Sequence, residues 1–219
     1  MRKPLRYAPF YERWLGPPPI LEDRLGEALD CGDCAMKERY RADLKCCTFF
    51  PFLPNFVIGA IFHEGHPATL NKLRSALTTA NVSPLGLRAS EGWKELRSTL
   101  GVEAFGQATE LLCPFFDRLE NNCGIWKFRP GVCANYFCRS SLSPHKWKKS
   151  EESINLVEWT LAHCVLWELG LTKDETDVVA ATGEWFEFGD DKEGFFRRCY
   201  EKGLSLSDRE VEELLGFET

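Results

Sequence analysis

The chain has 219 residues, 44% of them hydrophobic and seven of them tryptophan, which suits one domain or one domain with an appendage and is far too apolar for a disordered chain. A formal net charge of −6 and a pI near 5.4 exclude the basic surface on which nucleic-acid binding depends. The longest apolar stretch, Phe49 to Phe62, contains Pro51, Pro54 and Asn55 and falls short of the ~20 residues a spanning helix needs, so it reads as buried core and no membrane partner is expected.

Taken in chain order, Met1-Arg-Lys-Pro-Leu-Arg-Tyr carries positive charge with no apolar run behind it, which is not an export signal; a cytoplasmic, reducing location is expected. Disulfides rarely persist there, so ten cysteines call for another explanation. Residues 1–30 read as an irregular leader, broken at Pro17-Pro18-Pro19, with a short helix around Ile20 to Leu29. From Pro67 to about Ala80 the residues Leu70, Leu73 and Leu77 recur at helical spacing, and Pro67 suits a first turn. Two more short helices are expected near Glu91–Leu100 and Val102–Leu112. Asn121, Asn122, Gly124, Pro130 and Gly131 then punctuate residues 113–138 into turns. Beyond Arg139 cysteines thin out, and Ile154, Val157, Leu161, Cys164, Val165 and Leu169 mark one face of a helix from about 151 to 169. Thr172 with Glu175, and Ser207 with Glu210, have the form of capping boxes opening two further helices. Strand signals are few, with short pieces expected near Ile125–Phe128 or Trp185–Phe188.

The fold class expected from this pattern is mainly α. A small irregular helical domain, residues 31–138, is organised around a cysteine-ligated metal centre. The leader of residues 1–30 precedes it, and a helical C-terminal extension, residues 139–219, packs on it.

Eight cysteines fall into two groups, Cys31-x2-Cys34-x11-Cys46-Cys47 and Cys113-x9-Cys123-x9-Cys133-x4-Cys138. A Cys-x-x-Cys turn brings two thiols to one side of a tight loop, where both can reach one metal, and thiolates bind zinc and iron strongly. Six further cysteines in Pro- and Gly-broken aromatic segments make all eight candidate metal ligands. Neighbouring side chains diverge, so Cys46 and Cys47 either serve two sites or leave one thiol spare. A zinc ribbon would show two regular Cys-x-x-Cys knuckles. Here there is one, and the uneven spacing of the rest favours a 4Fe–4S cluster held by four thiolates, with zinc as the alternative. Phe49, Phe50, Phe115, Phe116, Trp126, Tyr136 and Phe137 stand near these cysteines, either as a shield from water or as ordinary core. Cys164 and Cys199 stand alone on expected helices and read as buried small hydrophobes.

Cys31-Gly-Asp-Cys34, Cys46-Cys47, Cys113-Pro-Phe-Phe-Asp117, Cys123-Gly-Ile-Trp-Lys-Phe-Arg129-Pro130-Gly-Val-Cys133 and Cys138 resemble the CxxCxxCC cysteine-cluster family. These YkgJ-type proteins are described as zinc- or iron-chelating domains. The resemblance covers about residues 31–138, and the Cys123 to Cys133 segment is its most specific part. The chain departs from the family pattern in its long gap between Cys34 and Cys46, in Trp126 where tyrosine is common, and in Ala134 where arginine is common. The resemblance implies a metal centre and says little of its use. A related arrangement in flagellin lysine N-methylases, associated with an iron–sulfur cluster, extends the implication to protein modification by analogy.

Arg129 is the candidate cofactor-binding residue, because a guanidinium offsets the negative charge of a thiolate-ligated centre and donates to sulfur. Other patterns carry less. His63-Glu64-Gly65-His66 has the wrong spacing for a zincin helix and reads as a polar turn. His163 and Cys164 point about 100° apart on a helix and do not form a catalytic pair. Lys146-Trp147-Lys148-Lys149 reads as a solvated basic loop. No catalytic residue is assigned. The expected function is a metalloprotein serving redox chemistry or modification of a partner protein. The alternatives are a structural zinc module whose helices dock a protein partner, and a protein that binds and passes on zinc or iron.

Overall fold

The computed structural model describes residues 39–134, 144–188 and 190–206. In chain order the elements are β1 (Leu53–Pro54), α1 (Asn55–Glu64), α2 (Pro67–Thr79), β2 (Asn81–Ser83), β3 (Gly86–Arg88), α3 (Glu91–Leu100), β4 (Phe116–Asp117), β5 (Asn122–Cys123), the single turn α4 (Gly131–Ala134), α5 (Pro144–Glu168), α6 (Lys173–Thr182) and α7 (Lys192–Ser205). The described residues are mainly helical, as the sequence pattern predicts. No helix among them is long and apolar enough to cross a membrane. The chain divides into two compact units, one of Met1–Pro51 with Ala89–Glu152, the other of Phe52–Arg88 with Ser153–Thr219.

The second unit is built on α1. Every residue from Asn55 to Phe62 is buried, the mark of a helix enclosed on all sides. Pro54 precedes its first turn, and Asn55 fastens that turn to its surroundings. The Asn55 Nδ2 donates to the carbonyls of Pro84 and Ala162 at 3.0 Å each, and its Oδ1 accepts from the Phe56 N–H at 2.7 Å. A buried amide with its hydrogen bonds made fixes geometry without a desolvation penalty. Gly59 lets α7 approach, since a Cβ there would lie 2.0 Å from the Phe196 carbonyl oxygen. A short antiparallel sheet in the order β1-β3-β2 pairs Leu53 and Val82 with Leu87. At the start of α7, Trp185, Phe188, Phe195 and Phe196 form an aromatic cluster with ring centres 4.4 to 5.8 Å apart. The expected capping box of α6 is present, with Thr172 and Glu175 bonding each other's backbone N–H.

Helices α2 and α3 match the expected spans near 67–80 and 91–100. Four expectations are corrected. The span Val102–Leu112 is not a helix but two 3-10 turns, Val102–Ala104 and Thr109–Leu111. Gly106 separates them at φ +76°, and a side chain there would strike the Tyr40 ring. Ile125–Phe128 and Trp185–Phe188 hold no strand; 3-10 turns occupy Trp126–Phe128 and Phe186–Phe188. The strands form instead at the five short pieces named above. Helix α5 begins at Pro144 rather than near 151, so Lys146 to Lys149 lie in a helix and not in a loop. A proline is favoured in a first turn, where its missing N–H costs nothing. The leader, the helix expected at Ile20–Leu29 and the Ser207/Glu210 box lie outside the described residues.

Candidate metal centre

Three stretches of the first unit carry the described cysteines of the two groups. The first is a turn at residues 41–47. Its Lys45 N–H donates to the Arg41 carbonyl at 2.8 Å, and the Cys47 N–H donates to the Leu44 carbonyl at 3.1 Å. Lys45 adopts a positive φ of 55° and is 5% exposed; its Nζ donates to the Asn121 carbonyl. That bond ties the turn to the second stretch, the β4–β5 hairpin. A backbone bond reinforces the tie, with the Cys113 N–H donating to the Cys47 carbonyl at 2.7 Å. From Cys113 the chain turns into β4, where Phe116 pairs with Cys123 across the ladder. The third stretch runs through the 3-10 turn at Trp126–Phe128 and Arg129-Pro130 into α4, where the Cys133 N–H donates to the Pro130 carbonyl at 2.9 Å.

Cys113 lies within electrostatic reach of Cys46 and Cys123, and Cys133 within reach of Cys46, Cys113 and Cys123. Burial pushes Cys113 up to about 12, and the charges of Cys123 and Cys46 add to the rise, against hydrogen bonds from the Phe115 and Phe116 backbone. Burial also pushes Cys133 up, with further contributions from Cys113, Cys123 and Cys46, while Arg129 acts to lower it. Of the adjacent pair, Cys46 is the member whose charge both Cys113 and Cys133 sense. Cys47 contributes its carbonyl to the Cys113 N–H. Like charges crowded in a poorly solvated place disfavour free thiolates, and a bound cation reverses that preference.

Arg129 is 7% exposed. Its guanidinium lies 3.6 Å from the centre of the Trp126 ring, and its Nε donates to the Trp126 carbonyl at 3.2 Å. Its Nη2 is buried and has no hydrogen-bond partner among the described residues. A buried cationic nitrogen without an acceptor is costly, and such groups are ordinarily paired. Two aromatic residues of the expected shield are buried, Phe115 and Phe116, while Phe49, Phe50 and Trp126 are half-buried. Phe50 packs edge-on against Phe115 at 6.5 Å and against Trp93 at 6.0 Å.

The structure thus gathers Cys46, Cys113, Cys123, Cys133 and Arg129 in one neighbourhood. Cys31, Cys34, Cys138, Tyr136 and Phe137 lie outside the described residues. Among the described residues no group of three or more His, Cys, Asp or Glu side chains is set to hold a metal ion. The donor set nonetheless suits a thiophilic metal, and the unpaired Arg129 Nη2 suits the negative charge of a thiolate-ligated one. The sequence reading missed the buried Lys45 and its role in tying two cysteine segments together; only its place beside Cys46 hinted at it.

The remaining candidates sit in the second unit. Cys164 and Cys199 are buried, with their thiols pushed up by burial, Cys164 to about 12. His63 and Glu64 end α1, Gly65 caps it and His66 opens α2, a polar turn as read from the sequence. Glu64 accepts a 2.6 Å hydrogen bond from the Tyr200 hydroxyl.

Comparison with protein-family models, with curated proteins and with solved structures finds no match to this chain. The cysteine-cluster resemblance therefore rests on the residues themselves.

Proposed function

We propose that this chain is a cysteine-ligated metalloprotein of the YkgJ type, holding an iron–sulfur cluster of the 4Fe–4S kind. Cys46, Cys113, Cys123 and Cys133 are the leading ligand candidates among the described residues, with Cys47 and, outside those residues, Cys31, Cys34 and Cys138 completing the set from which ligands are drawn. One observation carries the reading: a buried arginine with an unpaired nitrogen, acting on Cys133 in a neighbourhood of four thiols. An inorganic centre there supplies one-electron redox chemistry or anchors a partner-modifying activity. The residues around it exclude water, through Phe115 and Phe116, and balance its charge, through Arg129.

Anaerobic purification followed by metal and acid-labile sulfide analysis tests this. A brown protein absorbing broadly near ~400 nm, with iron and sulfide in equal amounts, is the expected result. Colourless protein with stoichiometric zinc makes the centre a structural zinc site, and metal-free folded protein removes the proposal.

A further inference from the structure

Away from the cysteines, the second unit holds an arginine with no acidic partner among the described residues. Arg88 ends β3, and its side chain is half-buried. Its guanidinium carbon lies 4.9 Å from the centre of the Phe52 ring and 5.0 Å from that of Trp159. The two rings stand 6.0 Å apart. Rings on opposite faces of the guanidinium would stand about 10 Å apart, so both back the same side of it. Among the described residues the Arg88 side chain makes no hydrogen bond and no ion pair. Five N–H donors in a rigid fork are therefore held in place by aromatic packing and left without an acceptor.

His163 completes the group. Its ring packs on Trp159 at 4.5 Å, and its Nδ1 lies 2.7 Å from the Trp159 carbonyl oxygen. A carbonyl only accepts, so Nδ1 carries the proton and Nε2 is the nitrogen free for a further partner. Burial lowers the His163 pKa first, and the Arg88 charge lowers it too; the Trp159 carbonyl and the exposed Asp177 carboxylate of α6 act the other way. Trp159 itself is 38% exposed, so part of the indole surface stays accessible to an apolar group. A guanidinium fixed beside a partly exposed indole is a pairing that recognises an anion with an apolar body.

We infer that Arg88, backed by Phe52 and Trp159 and flanked by His163, binds the oxyanion, carboxylate or phosphate, of a small ligand whose apolar part lies on Trp159. This site is independent of the metal reading. The test is titration of the full chain with benzoate, phenyl phosphate and benzyl alcohol, followed by calorimetry and by the Arg88 Nε–H and Trp159 indole resonances. Benzoate or phenyl phosphate is expected to shift both resonances, and the tighter of the two names the oxyanion. Benzyl alcohol is expected to bind at least tenfold more weakly. Arg88→Gln should weaken anion binding at least tenfold, and Arg88→Lys, which keeps charge but loses the fork, should fall between. Should Arg88→Gln not fold, the wild-type resonances decide alone. Unshifted resonances, equal binding of benzyl alcohol, or unchanged anion affinity in a folded Arg88→Gln would overturn the site.

Discussion

Arg129 is where the physical argument for a metal is sharpest. The residue is buried, with one guanidinium nitrogen unpaired among the described residues, a state that costs several kcal/mol unless a counter-charge is near. Under the proposed function, a thiolate-ligated centre beside Cys133 would supply that counter-charge. Arg129→Met is therefore expected to lower bound metal per chain in parallel anaerobic preparations, whereas metal content equal to wild type would reduce the arginine to a packing residue. Cys133→Ser should lower metal content and melting temperature together. Cys199→Ala should leave metal content intact and lower only the melting temperature, because Cys199 is fully buried against the core. The same burial, which pushes the Cys164 thiol to about 12 and Cys199 upward, predicts that neither is alkylated by iodoacetamide in the native protein at pH 8. Mass spectrometry of the labelled peptides reads this directly, and rapid labelling of either would contradict the buried placement.

At the scale of elements, the tightest constraint is the approach of α1 to α7. With a Cβ at Gly59 only 2.0 Å from a backbone oxygen of α7, Gly59→Ala must push backbone rather than a side-chain tip. A loss of about 3 kcal/mol or more is expected in chemical denaturation, at the upper end of overpacking effects. The α6 cap is a milder case. Thr172→Ala removes one side of the capping box and is expected to cost about 1 kcal/mol. The Thr172 backbone N–H, and then its hydroxyl, hold the Glu175 carboxyl below its ordinary value. A depressed carboxyl stabilises the fold above its unfolded pKa and loses that contribution as pH falls through the folded one. The wild type should accordingly lose more stability than Thr172→Ala between pH 6 and pH 3. Equal losses would remove the cap from the account. The helices were legible wherever periodicity and a local terminator coincide, as with Pro67 in α2 and the Thr172 box of α6. The segment 102–112 was not legible, because its break depends on Gly106 meeting Tyr40, a contact 66 residues away in the chain that no local pattern records. The ladder pairing Phe116 with Cys123 was equally invisible, since two-residue strands leave no alternation to read.

For the whole molecule, local pattern carries the mainly helical class, and long-range packing carries the rest. Ten cysteines in an acidic chain raise the expectation of metal ligation. That Phe52–Arg88 belongs with the C-terminal helices, while residues on either side of it carry cysteines, is a long-range property of packing. The meeting of the cysteine segments is likewise set by bonds between distant stretches, notably the Cys113 N–H to the Cys47 carbonyl and the Lys45 side chain to the Asn121 carbonyl. Because those segments meet only in the fold, bound metal and stability should rise and fall together, and a chelator should lower the melting temperature of the metal-loaded protein. The most direct measurement is metal K-edge absorption spectroscopy on anaerobically purified chain. The account predicts a first shell of sulfur alone, at about 2.3 Å, as thiolate ligation requires. A shell containing nitrogen or oxygen, or folded protein with no bound metal at all, would contradict it.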